Sequence, residues 1–481
     1  MNPVTRRGFL SQLGALGAAM ALPRAIWSAE GGRKLNFVFI LIDDMGWTDV
    51  GCFGSRYHET PNIDRLAAEG MKFTSGYAAC PVCSPMRASV MTGQYPARLH
   101  LTDFLVGTRW PKDSPIQPLK KWQTFLLVET PTLPRLLKSA GYVTGHIGKW
   151  HLGEKNEVEE YGFDVNVAGG KWGSPPSYFS PYKNSKLKDG PEGEYLTDRL
   201  TAEAEQFMEQ NKDRAFFLQL AHYAVHIPLK AKPELVKKYE AKAKPEGRVT
   251  NAVYAAMTES VDQCVGRVMR KLEELGIADR TVVIFTSDNG GLSVKEGPAI
   301  PTSNLPLRAG KGYLYEGGIR VPWIVKWPGV TKAGSVSDEA ISSVDVLPTL
   351  LEMAGASGLS PRSCDGQSMV AAMKGGRMRR EAIFWHYPHY SNQGGKPGGA
   401  VRAGDWKLIE WYEDGKVELY NLREDVGETR DLSAQLPEKA AELKKMLGDW
   451  RKGVDAQMPA RRGMGESQAA VVDEAPWAWG E

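Results

Sequence analysis

The chain has 481 residues, 24% of them charged and 42% hydrophobic, with a formal net charge of +3. That length suits one large α/β domain with a substantial core plus a smaller one. The near-neutral balance gives no global attraction to nucleic acid or a membrane surface, so an anionic ligand must be met by a few locally placed cations.

The N-terminus reads as an address. "TRRGFLSQLGALGAAMALPRA" sets Arg6 and Arg7 before a mildly apolar Gly/Ala-rich run. Twin arginines followed by x-Phe-Leu resemble a twin-arginine export signal over residues 1–29, cleaved between Ala25 and Ala29. The run is too short and too weakly apolar for a transmembrane helix, and no other segment reaches that length. The expectation is a soluble, periplasmic or secreted bacterial protein whose partner in export is the twin-arginine machinery.

Residues 36–42, "NFVFILI", form a nearly unbroken apolar run that stops at Asp43-Asp44. That is the mark of a strand buried on both faces. "ETPNIDRLAAEG" predicts a helix with Thr60 as N-cap, Pro61 at the first position and Gly70 as the stop. "PTLPRLLKSAGYVTGHIGKWHLG" reads as a helix, a break at Gly141, then a strand running into a loop. "AFFLQLAHYAVHIPL" is another apolar strand, ending in a His-containing turn. Val253, Met257, Val261, Cys264, Val265, Val268 and Leu272 follow the spacing of a buried helix face, which makes Cys264 a packed thiol. "RTVVIFTSDNGG" repeats the first pattern, a buried strand running straight into Asp288-Asn289. Strands alternating with helices predict an α/β fold, a large mostly parallel sheet flanked by helices.

Around 370–380 the texture changes. "AVRAGDWKLIEWYEDGKVELYNL" alternates apolar and polar residues around Asp414-Gly415, an antiparallel hairpin signal, and a helix follows. The expected organisation is a catalytic domain over 30–372, a smaller C-terminal α+β subdomain with an antiparallel sheet over 373–460, and a tail over 461–481.

In open parallel sheets ligands gather beyond the carboxyl ends of strands. Two acidic pairs sit at such ends: Asp43 with Asp44, and Asp288 with Asn289. Three carboxylates and an amide oxygen are a hard-cation set, suited to calcium or magnesium rather than zinc. Cations come from short loops with Gly or Pro neighbours. In "GKWHLG", Lys149 and His151 are two apart, so an extended segment would point both to one face. "AVHIPL" supplies His226, and "RAGKGYLYEGGIR" supplies Lys311.

The stretch "AACPVCSPMRASVMTG", residues 78–93, is the most specific. Cys80 and Cys83 form a C-x-x-C. A zinc site would need a second pair of soft ligands, and none is evident. A thioredoxin-like pair needs a small domain with few other polar groups. Among five cysteines (52, 80, 83, 264 and 364) no disulfide framework is visible. Read from Cys83 the stretch is C-x-P-x-R, with Pro85 early in a helix and Arg87 one turn on. Such a helix N-terminus presents free N–H groups to an anion.

At this point the chain resembles a type I sulfatase of the alkaline-phosphatase superfamily. Cys83-Ser84-Pro85-Met86-Arg87, continuing to Thr92-Gly93, matches that family's C-x-P-x-R…T-G signature, and "GYVTGHIGKWHLG" matches its second. "TSDNGG", "GKGYLYEGGIRVP" and "LYNLREDVGETRDL" extend the resemblance over residues 36 to 432. Met86 stands where the family usually has a small residue and Val426 where it often has proline; neither touches the chemistry. The resemblance implies that a maturation enzyme, formylglycine-generating or radical, oxidises Cys83 to formylglycine (3-oxoalanine), whose hydrate is a gem-diol. One hydroxyl attacks sulfur and the other expels sulfate, which splits a hard displacement into two accessible steps. It further implies that Asp43, Asp44, Asp288 and Asn289 bind Ca2+, Mg2+ being the lesser candidate, with the Cys83-derived diol as a further ligand. Arg87 would hold the diol, Lys149 and Lys311 the sulfate oxygens, His151 would take the proton that releases sulfate, and His226 would assist the departing alcohol.

For the substrate, export and aromatic richness (14 Trp and 17 Tyr) favour a sulfated carbohydrate of galactan or glycosaminoglycan type. Aryl sulfates would turn over because phenolate leaves easily. "WHYPHYSNQGGKPGG", carrying His386 and His389, is the candidate sugar-binding loop, with His100, Asp103 and Arg402 as further contacts. Other readings are a phosphodiester or phosphonate monoester hydrolase of the same superfamily, a non-catalytic binder of sulfated glycans if Cys83 stays a thiol, and a redox or zinc protein.

Overall fold

The Asn36–Ile42 run forms strand β1, every residue of it buried. A computed structural model describes residues 34–462 except 106, 108, 109 and 154–156. The expected export signal and all but the first two residues of the expected tail lie outside the described residues. The further strands are β2 (Met71–Phe73), β3 (Gly76–Tyr77), β4 (Val143–Gly148), β5 (Val165–Val167), β6 (Phe216–Ala221), β7 (Thr281–Ser287), β8 (Trp323–Lys326), β9 (Ser335–Ser337) and β10 (Ile341–Ser342). The C-terminal strands are β11 (Ile383–Tyr387), β12 (Gly398–Ala403), β13 (Trp406–Trp411) and β14 (Val417–Asn421).

The main sheet has eight strands in the order β5-β4-β6-β1-β7-β8-β2-β9. All neighbours are parallel except where β8 runs antiparallel to β7 and to β2. β3 and β10 form a separate parallel pair. Both faces of the sheet are covered, which is why β1 lacks any polar alternation. Val38, Ile40 and Ile42 pack on helices Pro61–Glu69, Leu196–Gln210 and Ala252–Glu274. Phe37, Phe39 and Leu41 pack on helices Cys83–Thr92, Leu133–Ser139 and Val346–Met353. In register, Ile42 pairs with Ser287, so β1 and β7 end level and bring Asp43 beside Asp288.

The helix at Pro61 starts and stops where expected, but for different reasons. Thr60 Oγ1 does not cap it: that atom accepts from the Gly51 N–H and donates to Asp64. Asp262, from the long helix, accepts from Asn62 N and Ile63 N instead. At the other end the chain passes so close to β8 that a Cβ on Gly70 would lie 2.5 Å from Val325 O.

β11–β14 form an antiparallel sheet in sequence order, with the Gly404 and Gly415 turns both left-handed. One face, with Val401, Leu408 and Leu419, takes the helix Pro437–Gly453; Trp385, Ala400, Ile409 and Tyr420 on the other join the main core. All five cysteines are free, and Cys264 is buried, 2.8 Å from His222 Nε2.

Candidate active site

Asp43, Asp44, Asp288 and Asn289 are all buried at the ends of β1 and β7. Asp44 adopts a left-handed backbone, φ 62°, and its N–H donates to Asp288 Oδ1 at 3.1 Å. Asn289 Nδ2 donates to Asp44 Oδ1 at 2.8 Å. Three buried carboxylates demand nearby positive charge, and three cations supply it. Arg87 donates through Nε and Nη2 to Asp288 Oδ2 at 2.9 and 2.6 Å, and through Nη1 to Lys149 O at 2.9 Å. Lys149 Nζ lies 2.7 Å from Asp43 Oδ2, and Lys311 Nζ lies 2.8 Å from the Asp44 carboxylate. Burial alone would raise Asp44, but Lys311, with His226 and Lys149 behind it, holds it well below the usual carboxylate range. Burial likewise opposes charge on Lys311, yet Asp44 and its neighbours raise that ammonium above its ordinary value.

At these strand ends, two buried acceptors remain without a hydrogen-bond donor, Asp43 Oδ1 and Asn289 Oδ1. Among the described residues the only cluster of three or more His, Cys, Asp or Glu with ligand atoms in mutual reach is Asp43, Asp44 and His226, within 4.8 Å of one another. Unserved oxygens beside two carboxylates fit a hard divalent cation. The oxygens of Asp44 and Asp288 already accept hydrogen bonds, Asp44 from Asn289 and Lys311, Asp288 from Arg87 and the Asp44 N–H. Neither Cys80 nor Cys83 belongs to that cluster, so nothing supports a zinc site there.

Cys83 opens the helix whose next turn carries Arg87. Its Sγ lies 3.3 Å from His151 Nδ1, and His151 Nε2 lies 2.7 Å from Leu105 O. A carbonyl only accepts, so Nε2 carries the ring proton and Nδ1 accepts from the thiol. Burial, then Lys149, push His151 well below its usual value and keep it neutral. Burial raises the Cys83 thiol despite Lys149 and Lys311, and raises Cys80 further. A redox pair needs a thiolate, and this site disfavours one. His151 has φ 57°, so the 149–151 segment is not extended. The same-face argument from spacing therefore gives the wrong reason, although both side chains do reach the site.

His226 stands in the turn after β6, with Nδ1 2.6 Å from Ile227 O and 3.0 Å from Ser174 Oγ, and Nε2 3.7 Å from Asp44 Oδ2. Burial and Lys311 push it down to about 3. With its proton on Nδ1, His226 donates from Nε2 only after taking up a second proton. Ser174 escaped the sequence reading, as did Gly173, where a Cβ would lie 2.8 Å from His151 Cε1. The only signal was a Gly-Ser-Pro turn in "KWGSPPSY".

The outer candidates separate. His389 Nε2 lies 2.8 Å from Thr102 Oγ1, and Tyr387 donates to Asp103 Oδ1 at 3.0 Å. Asp103 is two residues from Leu105, whose carbonyl orients His151. The β11–β12 loop also touches the Lys311 loop: Gln393 bonds Glu296 at 2.7 Å, and Ser391 and Gly395 crowd Gly312. His386 and Arg402 bond within and behind the small sheet. His386 spends one nitrogen on Tyr412 Oη at 2.7 Å and the other on Gln457 O at 2.9 Å. Arg402 donates to Tyr77 Oη and to Gly404 O, behind the small sheet. His100 bonds Asp455 O at 2.9 Å and lines a separate surface cleft with Gln94, Arg98 and Phe125.

Comparison with known proteins agrees with this geometry. Residues 35–356 match the Sulfatase family, and residues 309–453 match a second description, "N-sulphoglucosamine sulphohydrolase, C-terminal". A protein called Sulfatase from Formosa agariphila is 35% identical, across 85% of this chain and 86% of its own. The N-acetylgalactosamine-6-sulfatase of Canis lupus familiaris is 36% identical, across 78% of this chain and 72% of its own. The crystal structure of Ps i-CgsB in complex with k-i-k-neocarrahexaose superposes with a TM-score of 0.73 at 30% identity, covering 87% of this chain and 93% of that one. Matches of that extent settle the grouping: the chain belongs to the sulfatase family and is a sulfuric ester hydrolase.

Proposed function

We propose that the protein is an exported sulfatase that removes a sulfate ester from a galactose-type sugar of a polysaccharide, using a formylglycine made from Cys83 and a bound calcium ion. The observation that carries the reading is the contact of Cys83 Sγ with a neutral His151 Nδ1 at 3.3 Å, inside a ring of three cations and four oxygen-bearing side chains. Hydrated formylglycine would supply two hydroxyls on one carbon, one to attack sulfur and one whose deprotonation expels sulfate.

The chain's own residues do the rest. Asp43, Asp44, Asp288 and Asn289 would hold the calcium ion, and Arg87, bonded to Asp288, would hold the diol at residue 83. Lys149 and Lys311 offset the charge of the sulfate oxygens. His151 accepts the proton at Nδ1, and His226, once protonated at Nε2, delivers one to the departing alcohol. The sugar class is supported by the N-acetylgalactosamine-6-sulfatases at 33–36% identity and by the neocarrahexaose named for Ps i-CgsB. His389, Asp103 and the loop bearing Gln393 are the candidate sugar contacts. Export by the twin-arginine route rests on Arg6 and Arg7, and maturation requires a partner that oxidises Cys83.

Mass spectrometry of the tryptic peptide spanning Cys83, from the native host, tests the reading: conversion exchanges a thiol for an aldehyde and removes about 18 Da. An unmodified thiol in active protein overturns it. Matched kcat/KM values for an aryl sulfate and the corresponding phosphate diester should favour the sulfate; the reverse order makes the protein a phosphodiesterase.

A further inference from the structure

Lys311 sits in the loop 308–320, "RAGKGYLYEGGIR", whose backbone is wedged between neighbours. Lys311 N donates to Gly291 O at 3.1 Å, and Gly312 N donates to Pro81 O at 2.9 Å, next to the Cys83 turn. Five residues on, Glu316 is fully buried. Its Oε1 accepts from Lys407 of β13 at 3.0 Å, and its Oε2 accepts from Tyr77 Oη of β3 at 2.7 Å and from Arg320 at 3.3 Å. The Glu316 N–H donates to Glu428 Oε2 at 2.7 Å, and Glu428 Oε1 accepts from Lys407 at 2.8 Å. At the loop's other end, Arg308 donates to Tyr420 Oη of β14 at 3.0 Å and to Glu428 O at 2.9 Å.

Glu316, Lys407 and Glu428 have no solvent exposure. Dry ions of this kind are weak contributors to net stability, because desolvation consumes most of their attraction. None of them bonds Cys83, the acidic strand tips or the candidate histidines. What they share is the loop: both of its ends are tied to the small C-terminal sheet, and only the stretch bearing Lys311 reaches the site.

We propose that Glu316, Lys407 and Glu428 are positioning residues that hold Lys311 over Asp44 and the sulfate, making the C-terminal sheet part of the catalytic geometry. This rests on the role given to Lys311 above. Nothing moves chemically through the network; it fixes where one ammonium stands, and misplacement by a fraction of an ångström weakens its grip on the transition state.

The test is a double-mutant cycle on the full chain, with kcat/KM measured on 4-nitrophenyl sulfate. Lys407→Met should lower kcat/KM roughly 10-fold or more when Lys311 is present, and by less than about 2-fold in a Lys311→Ala background. A merely structural role gives the same fold-loss in both backgrounds, and that result, or no loss at all, overturns the proposal. Should Lys407→Met fail to fold, Tyr77→Phe deletes only the hydroxyl between Glu316 and Arg402, and the same cycle should show a smaller, equally non-additive loss. If Lys311→Ala alone leaves kcat/KM unchanged while the enzyme stays active, the sulfate-gripping role of Lys311 fails, and the positioning proposal with it. That outcome is distinct from an additive cycle on a Lys311→Ala variant that has lost activity.

Discussion

Cys83 Sγ and His151 Nδ1 lie 3.3 Å apart, while the far nitrogen of the same ring is pinned 2.7 Å from Leu105 O. The carbonyl fixes the tautomer, so the acceptor faces residue 83 before any substrate arrives. His151→Ala removes that acceptor and leaves all three cations in place. The expected loss is roughly 10²–10⁴ in kcat, with KM little changed. Initial-rate kinetics on a sulfated galactoside check it, and a variant of near-normal kcat would remove His151 from the mechanism.

His226 faces the other side of the same carboxylates, 3.7 Å from Asp44. If it protonates the departing oxygen, its worth depends on how poorly that oxygen leaves. His226→Ala should cost a sugar sulfate roughly 10²–10³ in kcat, but 4-nitrophenyl sulfate far less, because nitrophenolate needs no proton. His151→Ala should cost both substrates alike. Equal losses on both substrates for His226→Ala would assign that histidine to another role.

The unserved oxygens of Asp43 and Asn289 predict a cation-dependent stability. Calcium at about 100 times its Kd should add ~2.7 kcal/mol to unfolding, read as a rise in thermal midpoint that a chelator reverses. Asn289→Ala or Asp44→Asn should abolish most of the rise. Magnesium run in parallel reports on selectivity, since it demands tighter octahedral geometry. A midpoint indifferent to both ions would leave the fold's acidic tips balanced by Arg87, Lys149 and Lys311 alone.

How much of this was legible in the sequence differs by residue. β1 and β7 were, because strands buried on both faces show as unbroken apolar runs, and their abrupt ends located Asp43, Asp44, Asp288 and Asn289. Cys83, Arg87 and Lys149 came from local motif. What His386 and Arg402 touch could not be read from composition: an aromatic, His-rich stretch looks the same whether it lines a cleft or forms β11. Ser174 and Gly173 were missed because their importance lies in what they touch, His226 and His151, 52 residues onward for Ser174. The Glu316–Lys407–Glu428 network was invisible for the same reason, being three ordinary charges until the two sheets meet.

Asp262 carries the clearest stability prediction. It accepts from Asn62 N at 2.9 Å, Ile63 N at 2.8 Å and Asn62 Nδ2 at 2.7 Å, doing for the Pro61–Glu69 helix what Thr60 does not. Asp262→Ala strands those donors and should destabilise by ~1–3 kcal/mol. Urea unfolding should show a lower midpoint at unchanged slope, and kcat/KM should stay close to wild type. A midpoint unmoved by the substitution would mean that water replaces the carboxylate.

Buried imidazoles set the acid limit. Burial pushes His146 down to about 4, and His222, His386 and His389 down to about 3. Each is neutral in the fold and charges near 6.5 when unfolded, so the unfolded chain binds more protons between those values. Their stabilising contribution is therefore full above pH 6.5 and is lost as pH falls toward 3, at up to ~1.4 kcal/mol per pH unit for each group. His386→Gln keeps one donor for Gln457 O and one acceptor for Tyr412 Oη while removing the titration. Urea unfolding from pH 7 to 4.5 should then fall less steeply than in the wild type, by one proton's worth. An unchanged slope would mean that His386 is already charged in the folded protein.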